Sequence, residues 1–386
     1  MLKEEILKIL GRRWKPLIGG LSMGFIVALM FVWGKPWGVA DGVIVWGDNF
    51  WNLFIDLGGE PNNLFFYSTA LINWSFILGA FISALIGGDF KISIPSGREA
   101  IRGVVGGTLM GVGAYMGFGC TVGAFLVGFG ALSASAITMM IGLLLGAYAG
   151  LRIYMKSLSV SESPGRVINI PKNVQFYTGI LIFISVIVCL FIWKKVIYVG
   201  MFEISASSLL FFGVMLGIIN QRTRFCFVRA FREPFMTGDA EMTKAAVIAI
   251  SVAALGGYIV KNSPALSIVA EDIQMMMVQP SFWFGSLVGG FIFGIGMVLA
   301  GGCSVGSMWR AGEGSLKSAV ALFFFAISGS LTAILFRKYD ITHILGERVF
   351  LPESLGWEWA ITLLLSFALI WYLFGVWNVR TGKFTL

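Results

Sequence analysis

Apolar runs of membrane-spanning length recur along the whole chain. A helix needs about 17 to 25 largely apolar residues to cross a hydrocarbon core roughly 30 Å thick. Ten such runs can be read, five in each half: Leu17–Trp33, Phe66–Gly88, Gly103–Phe118, Ala131–Leu151, Phe176–Trp193, Ile204–Ile219, Ala245–Val260, Phe282–Ala300, Leu316–Phe336 and Gly356–Val376. The pattern predicts an all-α, polytopic bundle of helices in a lipid bilayer. Composition agrees, because 57% hydrophobic and 12% charged residues leave too little polar surface for a soluble domain.

Charges between the runs predict the orientation, because cytoplasmic loops carry an excess of Lys and Arg. Basic residues precede the first run: Lys3, Lys8, Arg12, Arg13 and Lys15. Acidic residues dominate the next loop: Asp41, Asp48, Asp56 and Glu60. Both termini are therefore expected on the cytoplasmic side of the inner membrane, although Arg337, Lys338 and Arg348 fit this rule less well. The net charge of +8 fits the same rule, and no basic run with base-stacking context indicates a nucleic-acid partner.

The chain contains an internal repeat. Gly106-Gly107, Gly111, Gly113, Gly119, Cys120, Val122 and Gly123 recur at a constant offset of 183 as Gly289-Gly290, Gly294, Gly296, Gly302, Cys303, Val305 and Gly306. A one-residue shift then aligns Gly128-Phe129-Gly130 with Gly312-Glu313-Gly314. Five crossings per half make the second copy enter from the opposite side, as in inverted-repeat transporters. We expect two inverted repeats, residues 1–197 and 198–386.

Each repeat carries a Gly-Cys element that predicts a break in a membrane helix. Irregular backbone at membrane depth is tolerated where it is buried in protein or lines a polar path. A helix restarting after Cys120 or Cys303 would direct free N–H groups at that path, with Thr121 and Ser304 as candidate caps. The flanking glycines that permit these re-entrant loops are Gly119, Gly123, Gly302 and Gly306. Two opposed thiol-bearing loops suit a small, polarizable anion; the alternative is simple packing of small residues.

A third cysteine lies in an arginine-rich segment. Cys226 is flanked by Arg222, Arg224, Arg229 and Arg232 at the expected cytoplasmic end of a run. These arginines would activate a nearby thiol and would hold or release an anion. An ordinary positive-inside loop is the alternative reading. Trp33-Gly-Lys-Pro-Trp37 stands at roughly the equivalent place in the first half, without a cysteine.

Charges also follow the second Gly-Cys element. Arg310 and Glu313 lie at or near membrane depth, where charges are costly and usually functional, unless they pair with each other.

The remaining candidates for chemistry are weak. Cys189 has no glycine or polar neighbour and is assigned to packing, and His343, the one histidine, receives no role. No metal site or cofactor is predicted, because the cysteines form no CxxC pair or Cys/His pattern. The chain is not expected to be an enzyme, and the absence of a P-loop argues against ATP-driven transport by this chain alone.

At these residues the sequence resembles the YeeE/YedE family of sulfur-transport membrane proteins. The matching features are Gly119-Cys120, Gly302-Cys303, Trp309-Arg-Ala-Gly-Glu-Gly314 and Arg224-Phe-Cys226-Phe-Val-Arg-Ala-Phe-Arg-Glu233. With its long first external loop, the chain is similar to the YedE branch over nearly its whole length. The resemblance implies an hourglass-shaped bundle that takes up thiosulfate past Cys120, Cys303 and Cys226. It also implies a TusA-like sulfur carrier on the cytoplasmic side, which the Arg222–Arg232 segment would face.

Three readings stay open at this point. The leading one is a transporter for thiosulfate or a related sulfur anion, with selenium compounds as alternative cargo because the YedE branch is associated with selenium metabolism. The second is a membrane sulfurtransferase in which Cys226 or Cys303 forms a persulfide. The third is a general small-anion or water channel, which the inverted repeat alone would allow.

Overall fold

The computed structural model of the protein describes residues 11–34, 36–55, 63–158, 165–193, 195–199, 202–263 and 274–385. The predicted loop charges Lys3, Lys8, Asp56 and Glu60 lie outside these residues. In the first half, the elements are α1 (Pro16–Val32), α2 (Val39–Trp51), α3 (Ser68–Gly87), β1 (Lys91–Ile94), α4 (Gly97–Met116), a π-helical turn (Thr121–Leu126), α5 (Val127–Gly130), α6 (Ala134–Leu158), β2 (Arg166–Asn169), α7 (Lys172–Ile192) and β3 (Val196–Val199). In the second half, they are β4 (Phe202–Ser205), α8 (Ala206–Thr223), α9 (Phe227–Met236), α10 (Glu241–Lys261), α11 (Phe284–Ala300), α12 (Ser304–Gly312), α13 (Leu316–Lys338), a 3₁₀ turn (Thr342–Leu345), α14 (Leu351–Leu355) and α15 (Trp357–Thr381).

Helices occupy the positions of all ten predicted spans. Within the described part of the chain, eight helical segments are long and apolar enough to cross a membrane. α1 is a shorter apolar helix of 17 residues, and α8 ends in the polar stretch Asn220-Gln221-Arg222. The strands form two short antiparallel hairpins, β1 with β2 and β3 with β4. The predicted all-α, polytopic membrane bundle is therefore confirmed, with small hairpins added between its helices.

Glycines bring the centre of the bundle together, where α4 packs against α11. A Cβ atom on Gly113 would lie 2.5 Å from the carbonyl oxygen of Gly289, and one on Gly296 would lie 2.7 Å from that of Gly106. Backbones this close exclude any larger side chain, as in membrane helix pairs generally. Gly106 and Gly289 are repeat partners, and so are Gly113 and Gly296. The contact of Gly113 with Gly289 and the contact of Gly296 with Gly106 are therefore equivalent under the repeat. This equivalence supports the predicted two-fold repeat. The boundary between residues 197 and 198 stays a prediction.

After the Gly-Cys elements, the offset between equivalent residues of the two repeats falls by one from 183, whereas the sequence alignment raised it by one. Leu132 and Gly314, 182 positions apart, both have positive φ (56° and 94°). Their carbonyl oxygens accept equivalent hydrogen bonds from the N–H groups of Leu351 and Ser93, respectively. The aligned shift of Gly128-Phe129-Gly130 onto Gly312-Glu313-Gly314 is therefore wrong. The first repeat holds one extra residue, which the π-helical turn absorbs.

Two short helices re-enter the bundle where the sequence predicts loops. α2 lies in the predicted long external loop, and its residues Val39, Ala40 and Val43 are fully buried or nearly so. α9 lies in the predicted arginine-rich loop and buries Phe227 and Phe231 completely. The interpretation of these two segments as plain loops is therefore wrong. Each segment forms a helix whose charged residues lie on one face and whose apolar residues lie on the other.

Hydrogen bonds to its backbone hold α9 in place. The Thr243 hydroxyl on α10 donates to the Ala230 carbonyl at 2.7 Å, and the Asn378 amide on α15 donates to the Pro234 carbonyl at 2.9 Å. Near the other terminus, the Trp14 N–H donates to the Arg222 carbonyl at 3.0 Å. The described start and end of the chain thus lie at one end of the bundle, next to α9. We call this the basic end, since it carries Arg102, Arg222, Arg224, Arg310 and Lys317.

Candidate functional site

The two Gly-Cys elements break their helices at the centre of the molecule. α4 ends at Met116, and the chain passes through Phe118 and Gly119, both with positive φ (51° and 155°), before the π-helical turn starts. A side chain on Gly119 would also place its Cβ 2.6 Å from the Ala124 nitrogen. In the second half, Gly301 (φ 80°) ends α11 before α12 begins. The predicted breaks and restarts are therefore present in both repeats.

The cysteines themselves cap the restarted helices. Cys120 and Cys303 are the N-cap residues, and their sulfurs accept the N–H groups of Val122 and Gly306, each at 3.4 Å. The prediction that Thr121 and Ser304 would be the caps is wrong. A cap needs extended backbone outside the helix, and the cysteines adopt it, whereas the residue after each cysteine is already helical.

The two hydroxyls face across to the opposite loop instead. The Ser304 side chain lies close to the Cys120 thiol, and the Thr121 side chain lies close to the Cys303 thiol. Thr121 and Ser304 are fully buried, and neither hydroxyl has a hydrogen-bond partner of normal geometry among the described residues. Since Thr121 and Ser304 are repeat partners, the two loops meet reciprocally, with four polar side chains at their contact.

Cys226 joins this centre directly. Its Sγ atom lies 3.7 Å from the Sγ atom of Cys303, and both residues are completely buried. The sequence predicted Cys226 near one end of the path, apart from Cys120 and Cys303. The structure instead puts it beside Cys303, because Cys226 is the N-cap of re-entrant α9. Two of the three central thiols thus form one pair.

Gly306 allows that pair to form. A Cβ atom on Gly306 would lie 2.4 Å from the Cys226 sulfur. Its repeat partner Gly123 faces Gly38, where an added Cβ would keep 3.4 Å from the Gly38 Cα. Gly38 is the N-cap of α2, as Cys226 is the N-cap of α9. The first half thus has a glycine where the second half has its extra thiol, close to the segment at Trp33–Trp37 that the sequence indicated.

Helix N-termini converge on the thiols. The N–H groups of Val122 and Ala40, from the π-helical turn and α2, lie at Cys120. Those of Gly306 and Val228, from α12 and α9, lie at the Cys303–Cys226 pair. Helix N-termini carry partial positive charge and unpaired donors. The centre can therefore stabilise a small anion without a lysine or arginine inside it.

The predicted arginines and Glu313 lie on the basic-end side of the thiol pair. Arg224 donates to Glu313 at 2.7 Å, and Gln221 donates to the other oxygen of the same carboxylate. Burial raises the pKa of Glu313, while Arg224 and Gln221 oppose that rise. Arg310 donates instead to the carbonyl oxygen of Gly301. The suggested pairing of Arg310 with Glu313 is therefore wrong, because Glu313 fixes the turn between α8 and α9.

The arginines around Cys226 divide by their partners. Arg222 is buried and donates to Asp89 at 2.7 Å, and Arg229 pairs with Glu233 one helical turn away. Arg232 is half-buried and forms no hydrogen bond or ion pair with any described residue. The expectation that all four crowd round the thiol is thus corrected, since most of them are neutralised by carboxylates.

The role of Lys261, at the opposite end of the bundle, was not predicted from the sequence. Its ammonium is almost fully buried and donates to the carbonyl oxygens of Ala131, Gln274 and Met276 at 2.7 to 2.9 Å. Lys261 thereby ties the end of the first re-entrant segment to the chain before α11. Its position at the end of an apolar run made it look like an ordinary span boundary.

Cys189 is far from this chemistry. It lies on α7, partly exposed, and packs against apolar residues such as Val186. Within the described ranges, no three His, Cys, Asp or Glu side chains lie together in a way that would hold a metal ion. Buried thiols and hydroxyls, helix N-termini and flanking arginines are groups whose chemistry suits the binding of an anion.

Fold and site together define an α-helical membrane transport protein. A family model described as sulphur transport matches residues 3–149 and 222–385. The chain therefore belongs to the sulphur-transport family, as its resemblance to YeeE/YedE proteins predicted.

Proteins similar in sequence to this chain are named as transporters. The chain is 28% identical over 332 residues to the protein named Probable transporter YedE of Escherichia coli strain K12, covering 78% of this chain and 77% of that protein. It is 37% identical over 131 residues to Thiosulfate transporter TsuA of the same organism, covering 34% of this chain and 35% of TsuA. The TsuA of Spirochaeta thermophila is 33% identical over 122 residues, covering 31% of this chain and 34% of that protein.

Proposed function

We propose that this protein carries thiosulfate, or a closely related sulfur-containing anion, through the inner membrane along a path formed by Cys120, Cys303 and Cys226. The observation that carries the proposal is the reciprocal contact of the two re-entrant loops, with a thiol pair 3.7 Å apart beside it. Relatives named thiosulfate transporters match about a third of the chain, and this supports the choice of cargo.

The chemistry of the centre suits this cargo. Thiosulfate is a dianion with one terminal sulfur, a soft and polarizable acceptor for S–H donors. Four helix N-termini stabilise its charge, and the hydroxyls of Thr121 and Ser304 supply unused donors for its oxygens. Weak, successive binding sites favour passage over storage, because a formal cation in the centre would hold a dianion too tightly.

The thiols are closed off in this conformation. Cys120, Cys226 and Cys303 have no exposed surface, and Phe125 and Phe227 meet edge to face beside them, with ring centroids 5.5 Å apart. Passage thus requires a small movement of a re-entrant segment. The short helices α9 and α12 are suited to it, since they cross only part of the bundle.

The basic end is proposed to face the cytoplasm, with both termini on that side. The excess of arginine and lysine at that end supports this orientation through the positive-inside rule. The predicted sulfur carrier would then dock at the basic end. Because Cys226 is buried, the carrier would receive sulfur only after the anion leaves the protein.

The experiment is uptake of radiolabelled thiosulfate into proteoliposomes. Thiosulfate is expected to enter faster than into protein-free vesicles, and unlabelled thiosulfate is expected to compete better than sulfate. Selenium oxyanions in the same competition assess the alternative cargo. Entry no faster than into protein-free vesicles would overturn the proposal.

The Cys226–Cys303 pair favours one second candidate, a membrane sulfurtransferase. A Cys226 thiolate would attack the terminal sulfur of thiosulfate, forming a persulfide as the S–S bond breaks and sulfite leaves with the electron pair. A Cys303 thiolate would then attack the outer sulfur of that persulfide, so that this sulfur passes to Cys303 and the Cys226 thiolate leaves. Sulfite formed in step with thiosulfate consumption, and a persulfide on Cys226 or Cys303 detected by mass spectrometry, would favour this candidate; unmodified thiols after many turnovers favour transport.

A further inference from the structure

Two guanidinium groups beside the thiol pair have no carboxylate of their own. Arg232 makes no hydrogen bond or ion pair with any described residue, and its buried Nε atom has no acceptor. Arg310 stacks on Trp309, with its Cζ 4.7 Å from the ring centroid, and donates to the Gly301 carbonyl. Arg310 lies against the second Gly-Cys element, because a Cβ atom on Gly302 would be 2.8 Å from its Nη1 atom. Both arginines also interact electrostatically with Cys226. They also repel each other, since each carries a positive charge in a half-buried site.

Neighbouring carboxylates are already bound elsewhere. Glu99 is shared between Arg102 and Lys317, and Glu233 is bound through one oxygen by Arg229 and also attracts Arg232 without a hydrogen bond. Lys317 is a further cation that repels Arg310. Among the described residues, this cluster therefore has six cations and three carboxylates, counting Arg102, Arg224, Arg229, Arg232, Arg310 and Lys317 against Glu99, Glu233 and Glu313. Desolvated like charges are expensive to hold together unless an anion lies between them.

The equivalent positions of the first repeat, all within the described part of the chain, carry no charge. Ile44 stands six positions after Gly38, as Arg232 stands six after Cys226. Val127 and Gly128 stand where the second repeat has Arg310. The fold itself therefore does not require the two arginines, because the first repeat adopts the same architecture without them. Their location on one side of the thiol pair points to a use for charge on that side alone.

We propose that Arg232 and Arg310 form an anion-binding site for a small divalent oxyanion, immediately on the basic-end side of the Cys226–Cys303 pair. Guanidinium groups suit this task, because their planar N–H donors match oxyanion geometry. The site deepens the proposed function, on which its place in the path rests. It binds thiosulfate after the thiols and is selective for charge, whereas the thiols are selective for the terminal sulfur. Sulfate is therefore expected to bind here although it does not pass the thiols readily.

Equilibrium binding to the purified protein in detergent tests the proposal, with radiolabelled sulfate and thiosulfate as probes. Arg232→Gln and Arg310→Gln are each expected to raise Kd for both anions about tenfold, the factor that corresponds to 1.4 kcal/mol. Arg152→Gln is the matched control, because Arg152 is an exposed arginine that binds the Tyr148 hydroxyl. It should leave Kd unchanged. Arg232→Lys should keep only part of the affinity, since it keeps the charge but loses the planar N–H donors.

Folding is checked by thermal melting, where Arg232→Gln is expected to match or exceed the parent because it relieves repulsion. Sulfate binding by Arg232→Gln and Arg310→Gln at the parent's affinity would overturn the site, even if thiosulfate uptake is normal. Failure of the parent protein to bind either anion would overturn it as well. Arginine-dependent binding without any thiosulfate uptake would support the site and contradict the proposed function instead.

Discussion

The thiol sulfur of Cys226 lies 3.7 Å from that of Cys303, although the two residues belong to different re-entrant helices. Each cysteine is an N-cap, so two helix N-termini direct their N–H groups toward the same pair of sulfurs. The contact is compatible with an S–H···S hydrogen bond. An anion with a terminal sulfur can replace either thiol in that contact, and this relationship determines several measurable consequences.

Mild oxidation is expected to close the path. Because the two sulfurs are neighbours, diamide should take two electrons and two protons from them and join Cys226 to Cys303. Thiosulfate uptake should fall and should recover after dithiothreitol. Mass spectrometry should find the Cys226–Cys303 peptide pair in the oxidised parent and lose it after dithiothreitol, together with the block. An oxidised parent that is blocked but contains no Cys226–Cys303 pair would contradict this contact.

The contact also depends on Gly306. Gly306→Ala would place a Cβ 2.4 Å from the Cys226 sulfur, while Gly123→Ala meets Gly38 at an ordinary 3.4 Å. Overpacking of this kind costs about 1 to 3 kcal/mol. Uptake is expected to fall about tenfold in Gly306→Ala, since that corresponds to about 1.4 kcal/mol, and to change little in Gly123→Ala. Equal transport rates in the two variants would show that the thiol position does not matter.

Removal of the unpaired hydroxyl of Thr121 or Ser304 should slow transport without lowering stability. A buried hydroxyl without a partner costs about 1 to 3 kcal/mol, so Thr121→Val and Ser304→Ala should melt at the parent's temperature or above it. Both variants should nevertheless take up thiosulfate more slowly, because each loses a donor at the contact of the loops. Lower melting temperatures with unchanged uptake would assign these hydroxyls to structure.

Substitution of Lys261, by contrast, should lower stability. Lys261→Met leaves three carbonyl oxygens without their donor, and the expected loss of folding free energy exceeds about 2 kcal/mol. Thermal melting in detergent measures it. Lys244→Met is the control, because Lys244 is exposed on the same helix. A Lys261→Met protein with the same melting temperature as the control would show that Lys261 does not stabilise the fold.

Sequence patterns predicted much of this architecture. Among the described residues, apolar run length located the eight helical segments of spanning length and also α1 and α8, and the repeated glycines located the breaks at Cys120 and Cys303. The re-entrant helices α2 and α9 were not separable from loops, because each is short and contains charges that polar connections also contain. Likewise, the partners of Arg310 and Glu313 depend on helices that are distant in sequence, and charge spacing alone cannot assign them.

The site was predicted in its residues more than in its geometry. Cys120, Cys303 and Cys226 were all identified, yet the pairing of Cys226 with Cys303 depends on how α9 folds back. The capping role of the cysteines was missed because serine and threonine are the usual caps. Only the backbone conformation decides which residue stands at the helix start.

The central claim is that thiols pass the anion, and one comparison tests it most directly. Initial rates of radiolabelled thiosulfate uptake are measured in proteoliposomes containing the parent protein, Cys303→Ala or Cys189→Ala, at equal amounts of folded protein. Both substitutions remove one thiol, but Cys303 is at the buried centre and Cys189 is on peripheral α7. The account predicts that Cys303→Ala lowers the rate to that of protein-free vesicles while Cys189→Ala keeps the parent's rate. Undiminished uptake by Cys303→Ala would contradict it.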